Sequence, residues 1–136
     1  MAGFDGKVAL VTGGGSGIGR DTSLGLARGG AKVVVSDVDE AGGNETVSMI
    51  ASTGGTAIFV KADVSKAEEV EAAVARTVAE FGGLNIIINN AGIGGEANMT
   101  GDYSLEGWHK VIDINLHGVV YGMRYGVPVI LASGGG

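Results

Sequence analysis

The chain has 136 residues, enough for one domain, with 45% hydrophobic residues and a formal net charge of −6 from 9 Lys+Arg and 15 Asp+Glu. The acidic balance provides no basic stripe for a phosphate backbone, so nucleic acid is not an expected partner, and the absence of cysteine excludes disulfides, thiolate metal sites and cysteine nucleophiles. Residues 1–7 lack a signal-peptide pattern, and the richest apolar stretch, 119–132, is short and interrupted by Arg124, so a soluble cytoplasmic protein is expected, with no membrane as partner.

Residues 8–11 (VALV) form a continuous apolar run of strand length, as expected for a strand covered on both faces. A turn of almost bare backbone follows, and a helix is expected from about residue 17 to 28. Glycines let the turn bend sharply and approach a bulky anion. The helix aims its first unpaired N–H groups and the positive end of its dipole at the same point, which makes a pyrophosphate cradle.

Three templates test which cradle this is. G-x-G-x-x-G fails in every frame, because its last or middle glycine falls on Ile18, Ser16 or Arg20. G-x-x-x-x-G-K-[ST] fits from Gly14 to Gly19, then breaks at Arg20 and Asp21, which argues against a phosphate-loop NTPase. T-G-x-x-x-G-x-G is met in full by Thr12, Gly13, Gly17 and Gly19. On this spacing the chain resembles the short-chain dehydrogenase/reductase family. The resemblance implies an oxidoreductase that moves a hydride between NAD and a small alcohol or ketone, with Gly13, Ser16, Gly17, Ile18 and Gly19 around the cofactor.

Residues 31–36 (AKVVVS) read as the second strand. Asp37 stands at its tip, about 20 residues past the turn, where a carboxylate can accept hydrogen bonds from an adenosine ribose; it could equally serve as a helix cap or loop acid. Asp37 would repel the extra phosphate of NADP, and Ser16 provides no basic group to hold it, so both favour NAD. A second helix is expected over 41–52, carrying Val47, Met49 and Ile50, and a third strand over 56–61 (TAIFVK). The resemblance implies that Asp63 meets the adenine amino group while Val64 packs on the ring, although Asp63 could also do no more than end the strand.

The third helix has the clearest periodicity. Ser65 and Glu68 have the spacing of a capping box, and Val70, Val74, Thr77, Val78 and Phe81 recur at helical spacing on one apolar face. Glycine pairs at 29–30, 42–43, 54–55 and 82–83 punctuate the connections, mostly where a helix stops. The fourth strand is expected over 84–88 (LNIII). Asn89-Asn90-Ala91-Gly92 then matches the N-N-A-G element of the family, in which Asn90, Ala91 and Gly92 would pass close to the cofactor; an ordinary Asn/Gly turn is the alternative.

A polar loop over 93–103 leads to Ser104, a cap for a short helix over 105–112. The segment 111–118 (VIDINLHG) resembles the family helix that carries a catalytic asparagine, so Asn115 would hold a water in a proton relay. Residues 119–132 continue as helix with Pro128 as a kink or local break. His109 and His117 have no partners at metal spacing and read as surface or packing residues. No metal site is expected.

Four strands alternating with helices give an α/β fold, a doubly wound parallel sheet in the order 3-2-1-4, with the ligand crevice at the carboxyl ends of strands 1 and 4. Residues 1–136 are expected to be a single dinucleotide-binding Rossmann-type domain that stops before a fifth strand. The Y-x-x-x-K pair that the family uses as acid and base does not occur in the sequence, and an unaided tyrosine, with a pKa near ~10, is a poor base. A non-catalytic NAD-binding sensor or scaffold module is therefore the alternative reading. A bare fourth strand and an apolar final helix, with Leu116, Val119, Val120, Met123 and Val127 uncovered, would make the chain homo-oligomeric or aggregation-prone.

Overall fold

The computed structural model describes residues 3–136. The elements run β1 (Val8–Thr12), α1 (Gly17–Arg28), β2 (Lys32–Asp37), α2 (Glu40–Ser52), β3 (Thr56–Lys61), α3 (Ala67–Phe81), β4 (Ile86–Ile88), α4 (Leu105–Ile112) and α5 (Gly118–Ala132). A 3₁₀ turn at Thr100–Asp102 precedes α4, and a π-helical turn at Asp113–His117 joins α4 to α5. The four strands pair in parallel in the order β3-β2-β1-β4, the expected topology.

Alternation along the two central strands builds two cores, because successive side chains leave a strand on opposite faces. Ala9 and Val11 of β1 join Val33 and Val35 of β2 under Leu26, Ala27 and Ile50, which covers that face with α1 and α2. Leu10 and Val34 join Val74 and Leu84 on the other face, against Phe81, Tyr125 and Val129 of α3 and α5. Both faces of the central strands are buried, as their unbroken apolar runs require.

The departures from expectation have local causes. Ala31 is spent on the end of α1, donating its N–H to Leu26 O, so β2 starts one residue later and takes in Asp37, which lies opposite Lys61 of β3. β4 has only three residues because the Asn85 side chain intervenes: its Oδ1 accepts the Val8 N–H at 3.0 Å, while Leu84 N–H goes to Ser133 Oγ. The capping box does not form. Ser65 gives both its N–H and its hydroxyl to Asp63 Oδ1, and α3 begins at Ala67. Val78 points away from the buried face of α3. Gly42 and Gly43 lie inside α2, where a Cβ on Gly43 would overlap the Phe59 ring. Pro128 sits within a continuous α5, and the helical irregularity falls instead at the π turn, a feature often found at functional sites. No helix among the described residues is long and apolar enough to cross a membrane.

Candidate functional site

The carboxyl ends of β1, β2, β3 and β4 open on one cavity of about 380 Å³. The glycine turn contributes Gly13, Ser16, Gly17, Ile18 and Gly19; the tip of β2 adds Asp37; the exit of β3 adds Asp63 and Val64; the exit of β4 adds Asn90, Ala91 and Gly92. The structure thus brings all eleven residues expected around the cofactor into one concavity. Ile18 belongs to this wall and not to the helix core: it is 79% exposed. Asn115 does not line the cavity. It lies directly behind the wall, its Oδ1 accepting the Ile93 N–H at 2.8 Å and its Nδ2 donating to Ile93 O at 2.9 Å.

The turn is shaped by contacts that only glycine permits. Gly13 has φ +63, and a Cβ there would lie 2.9 Å from the Ala91 backbone. A Cβ on Gly19 would overlap the Gly13 carbonyl oxygen. Gly17 has φ +49 with open space in front of it, and the N–H groups at the start of α1 face the same space without helical partners. Small residues, unpaired donors and a helix N-terminus together fit the pyrophosphate of a dinucleotide.

Carboxylates stand on either side of this cradle. Asp37 Oδ2 accepts the Gly15 N–H at 2.8 Å and Oδ1 accepts the Asp39 N–H at 3.0 Å, so the acid braces the turn while facing the cavity. The Ser65 hydroxyl holds the Asp63 carboxyl below the usual carboxylate range, helped by Lys66 and Lys110. On the opposite side the Asn90 carboxamide donates to Thr12 O and Gly13 O at 3.0 and 3.2 Å.

Thr12 is the residue that sequence reasoning passed over. Its Oγ1 accepts from Asn90 N–H and Ala91 N–H at 3.0 and 3.1 Å, riveting β1 to the segment after β4. It was visible as the first letter of the motif, but its partners lie 78 and 79 residues away. Val38, Ala62, Ile93 and Ile114 also line the cavity, and each could have been found only as a neighbour of a motif.

A family model for short chain dehydrogenase matches residues 7–136. The chain belongs to the short-chain dehydrogenase family. Among its relatives, cyclohexanol dehydrogenase of Acinetobacter sp. (strain SE19) is 50% identical over 133 residues, covering 98% of this chain and 53% of that protein. The short chain dehydrogenase/reductase astE of Aspergillus oryzae is 42% identical over 134 residues, covering 98% and 51%. A short-chain dehydrogenase/reductase from Burkholderia phymatum, solved in complex with NAD, superposes with a TM-score of 0.92 at 37% identity, covering 96% of this chain and 46% of that one. This short-chain dehydrogenase chain therefore spans about half the length of the curated relatives it matches.

Proposed function

We propose that the chain is the cofactor-binding part of an NAD-dependent oxidoreductase that moves a hydride between NAD and a small alcohol or ketone. The observation that carries the reading is Asp37: a carboxylate at the tip of β2, one oxygen fixed by Gly15, bordering a cavity whose other end is a glycine-lined helix N-terminus. Asp37 would accept from the ribose hydroxyls and repel a phosphate in their place. The cavity lining contains no Lys or Arg to offset that repulsion. The complex of a neighbouring structure with NAD and the cyclohexanol dehydrogenase relative support the cofactor and substrate class.

The residues would divide the work by position. Gly17, Ile18 and Gly19 would give their N–H groups to the pyrophosphate, Asp63 and Val64 would hold the adenine, and Asn90, Ala91 and Gly92 would wall the path toward the nicotinamide. The bound nicotinamide would supply or take the hydride, and the protein orientation and electrostatics. Asn115 would hold a water in the proton relay while keeping the Ile93 wall in place. The tyrosine–lysine pair implied by the family does not occur in this sequence, so the acid–base step needs groups beyond those described.

The test is Asp37→Ser, with NAD and NADP titrated separately by calorimetry. Weaker NAD binding and a relaxed preference against NADP are expected; an unchanged ratio would remove Asp37 from the site.

A further inference from the structure

The glycine turn is held from behind by a group that the cofactor reading does not use. All four backbone polar groups of Gly14 and Gly15 have partners on β2, α1 or α2. Gly14 N–H donates to Ser36 O at 3.0 Å, and Gly14 O accepts the Thr46 hydroxyl at 2.9 Å. Gly15 N–H goes to Asp37 Oδ2 at 2.8 Å, and Gly15 O accepts from Arg20 Nη2 at 2.6 Å. The same guanidinium reaches Thr46 Oγ1 through Nε at 3.1 Å and Glu45 Oε2 through Nη2 at 2.6 Å. Thr46 is fully buried, so α1, the turn and α2 are joined at a point inside the fold.

One residue, Gly15, therefore carries both links, on the two peptide units that flank its Cα. Arg20 fixes the Gly15 carbonyl, and the Gly15 N–H fixes Asp37. We propose that Arg20 is a positioning residue for cofactor choice, acting through Gly15 to hold the Asp37 carboxylate where it discriminates NAD from NADP. The inference rests on the assignment of Asp37 to the ribose.

Two effects of removing Arg20 oppose each other, and their sign decides the matter. As a cation near the ribose end, Arg20 would attract the extra phosphate of NADP, and its loss would sharpen the preference for NAD. As a positioning group, its loss frees Gly15 and Asp37 and blunts that preference. Glu45 lies within 2.6 Å of the guanidinium, so the pair presents little net charge to a ligand, and water screens what is left. Positioning is therefore the effect expected to dominate.

The experiment is calorimetric titration of NAD and of NADP into the intact protein, as wild type, Arg20→Met, Arg20→Lys and the core control Val74→Ala. Arg20→Met is expected to lower the NAD-over-NADP ratio about tenfold, the scale of one charge-assisted hydrogen bond, mostly through weaker NAD binding. Arg20→Lys, which keeps one donor in reach, should recover part of the loss. Val74→Ala should lower the melting temperature and leave the ratio alone. A ratio that stays the same or widens in Arg20→Met, or one that narrows equally in Val74→Ala, overturns the proposal and leaves Asp37 untouched. A wild type that binds neither dinucleotide, or prefers NADP, removes the cofactor reading and this inference with it.

Discussion

At the scale of single residues, the site depends on backbone groups that a side chain satisfies or that a missing side chain leaves room for. Thr12 shows the first case. In Thr12→Val the shape stays and the acceptor goes, leaving the buried-side N–H of Ala91 without its partner. The expected cost is about 1–3 kcal/mol of stability, with weaker dinucleotide binding, and Thr12→Ser should restore both; urea unfolding and an NAD titration check this. Gly19 shows the second. Gly19→Ala would drive a methyl group into the Gly13 carbonyl, so we expect NAD binding to be abolished and stability to fall by about 1–3 kcal/mol, measured in the same two assays. Glycine spacing alone made this turn legible, because a tight strand-to-helix bend leaves little choice of residue. The roles of Thr12 and Arg20 were not legible, since both depend on partners that only the folded chain brings near.

At the scale of elements, two helices are entered through carboxylates. Ahead of α3, Glu69 Oε2 accepts the Asp63 N–H at 2.7 Å, and Asp63 in turn accepts from Ser65. Ahead of α4, Glu96 accepts the Ser104 N–H at 3.1 Å and the Ser104 hydroxyl, while Ser104 Oγ takes the Gly107 N–H at 2.9 Å. These hydrogen bonds hold Asp63, Glu69 and Glu96 below their ordinary values. A carboxyl whose folded value lies below its unfolded one adds stability that is present above the unfolded range near pH ~4 and lost as pH falls through the lowered folded value. The urea midpoint should therefore drop from pH 6 toward pH 3, and Glu96→Gln should flatten part of that drop. Trp108, the one tryptophan, lies on α4 and reports it by fluorescence. The capping-box reading missed this arrangement because Ser65 has a nearer acceptor in Asp63, a competition that motif spacing does not express. The π turn was missed for a related reason. Asn115 is poor helix material by propensity, but only its two hydrogen bonds to Ile93 show what the residue does there instead.

At the scale of the molecule, alternating apolar runs and caps were enough to read the sheet order, because parallel strands joined by helices have few ways to connect. What covers the outside is a different matter. Leu105, Trp108, Leu116, Val120, Met123 and Val127 are exposed along α4, the π turn and α5 in steps that keep them to one side, and among the described residues β4 pairs only with β1. Val119, expected among them, is half-buried. Burying such a surface stabilises by roughly 25 cal/mol per Å² of apolar area, so we expect the protein to sediment as an oligomer. Met123→Glu should shift it toward monomer. A monodisperse wild-type monomer would show that the exposed stripe is not an interface between copies.

The placement of β1 between β2 and β4 also has a consequence during synthesis. β1, β2 and β3 can pair once residue 61 has emerged, but Ile88, whose carbonyl accepts the Thr12 hydroxyl, and Asn90, whose N–H donates to it, come roughly thirty residues later, a delay of seconds at ribosomal speed. During that interval the nascent chain has a glycine turn with one side of its cradle missing and a central strand with one free flank. On the proposed reading, a dinucleotide would meet its full cradle only after the Asn90 segment has been translated, and a chain released before that point is expected to bind none.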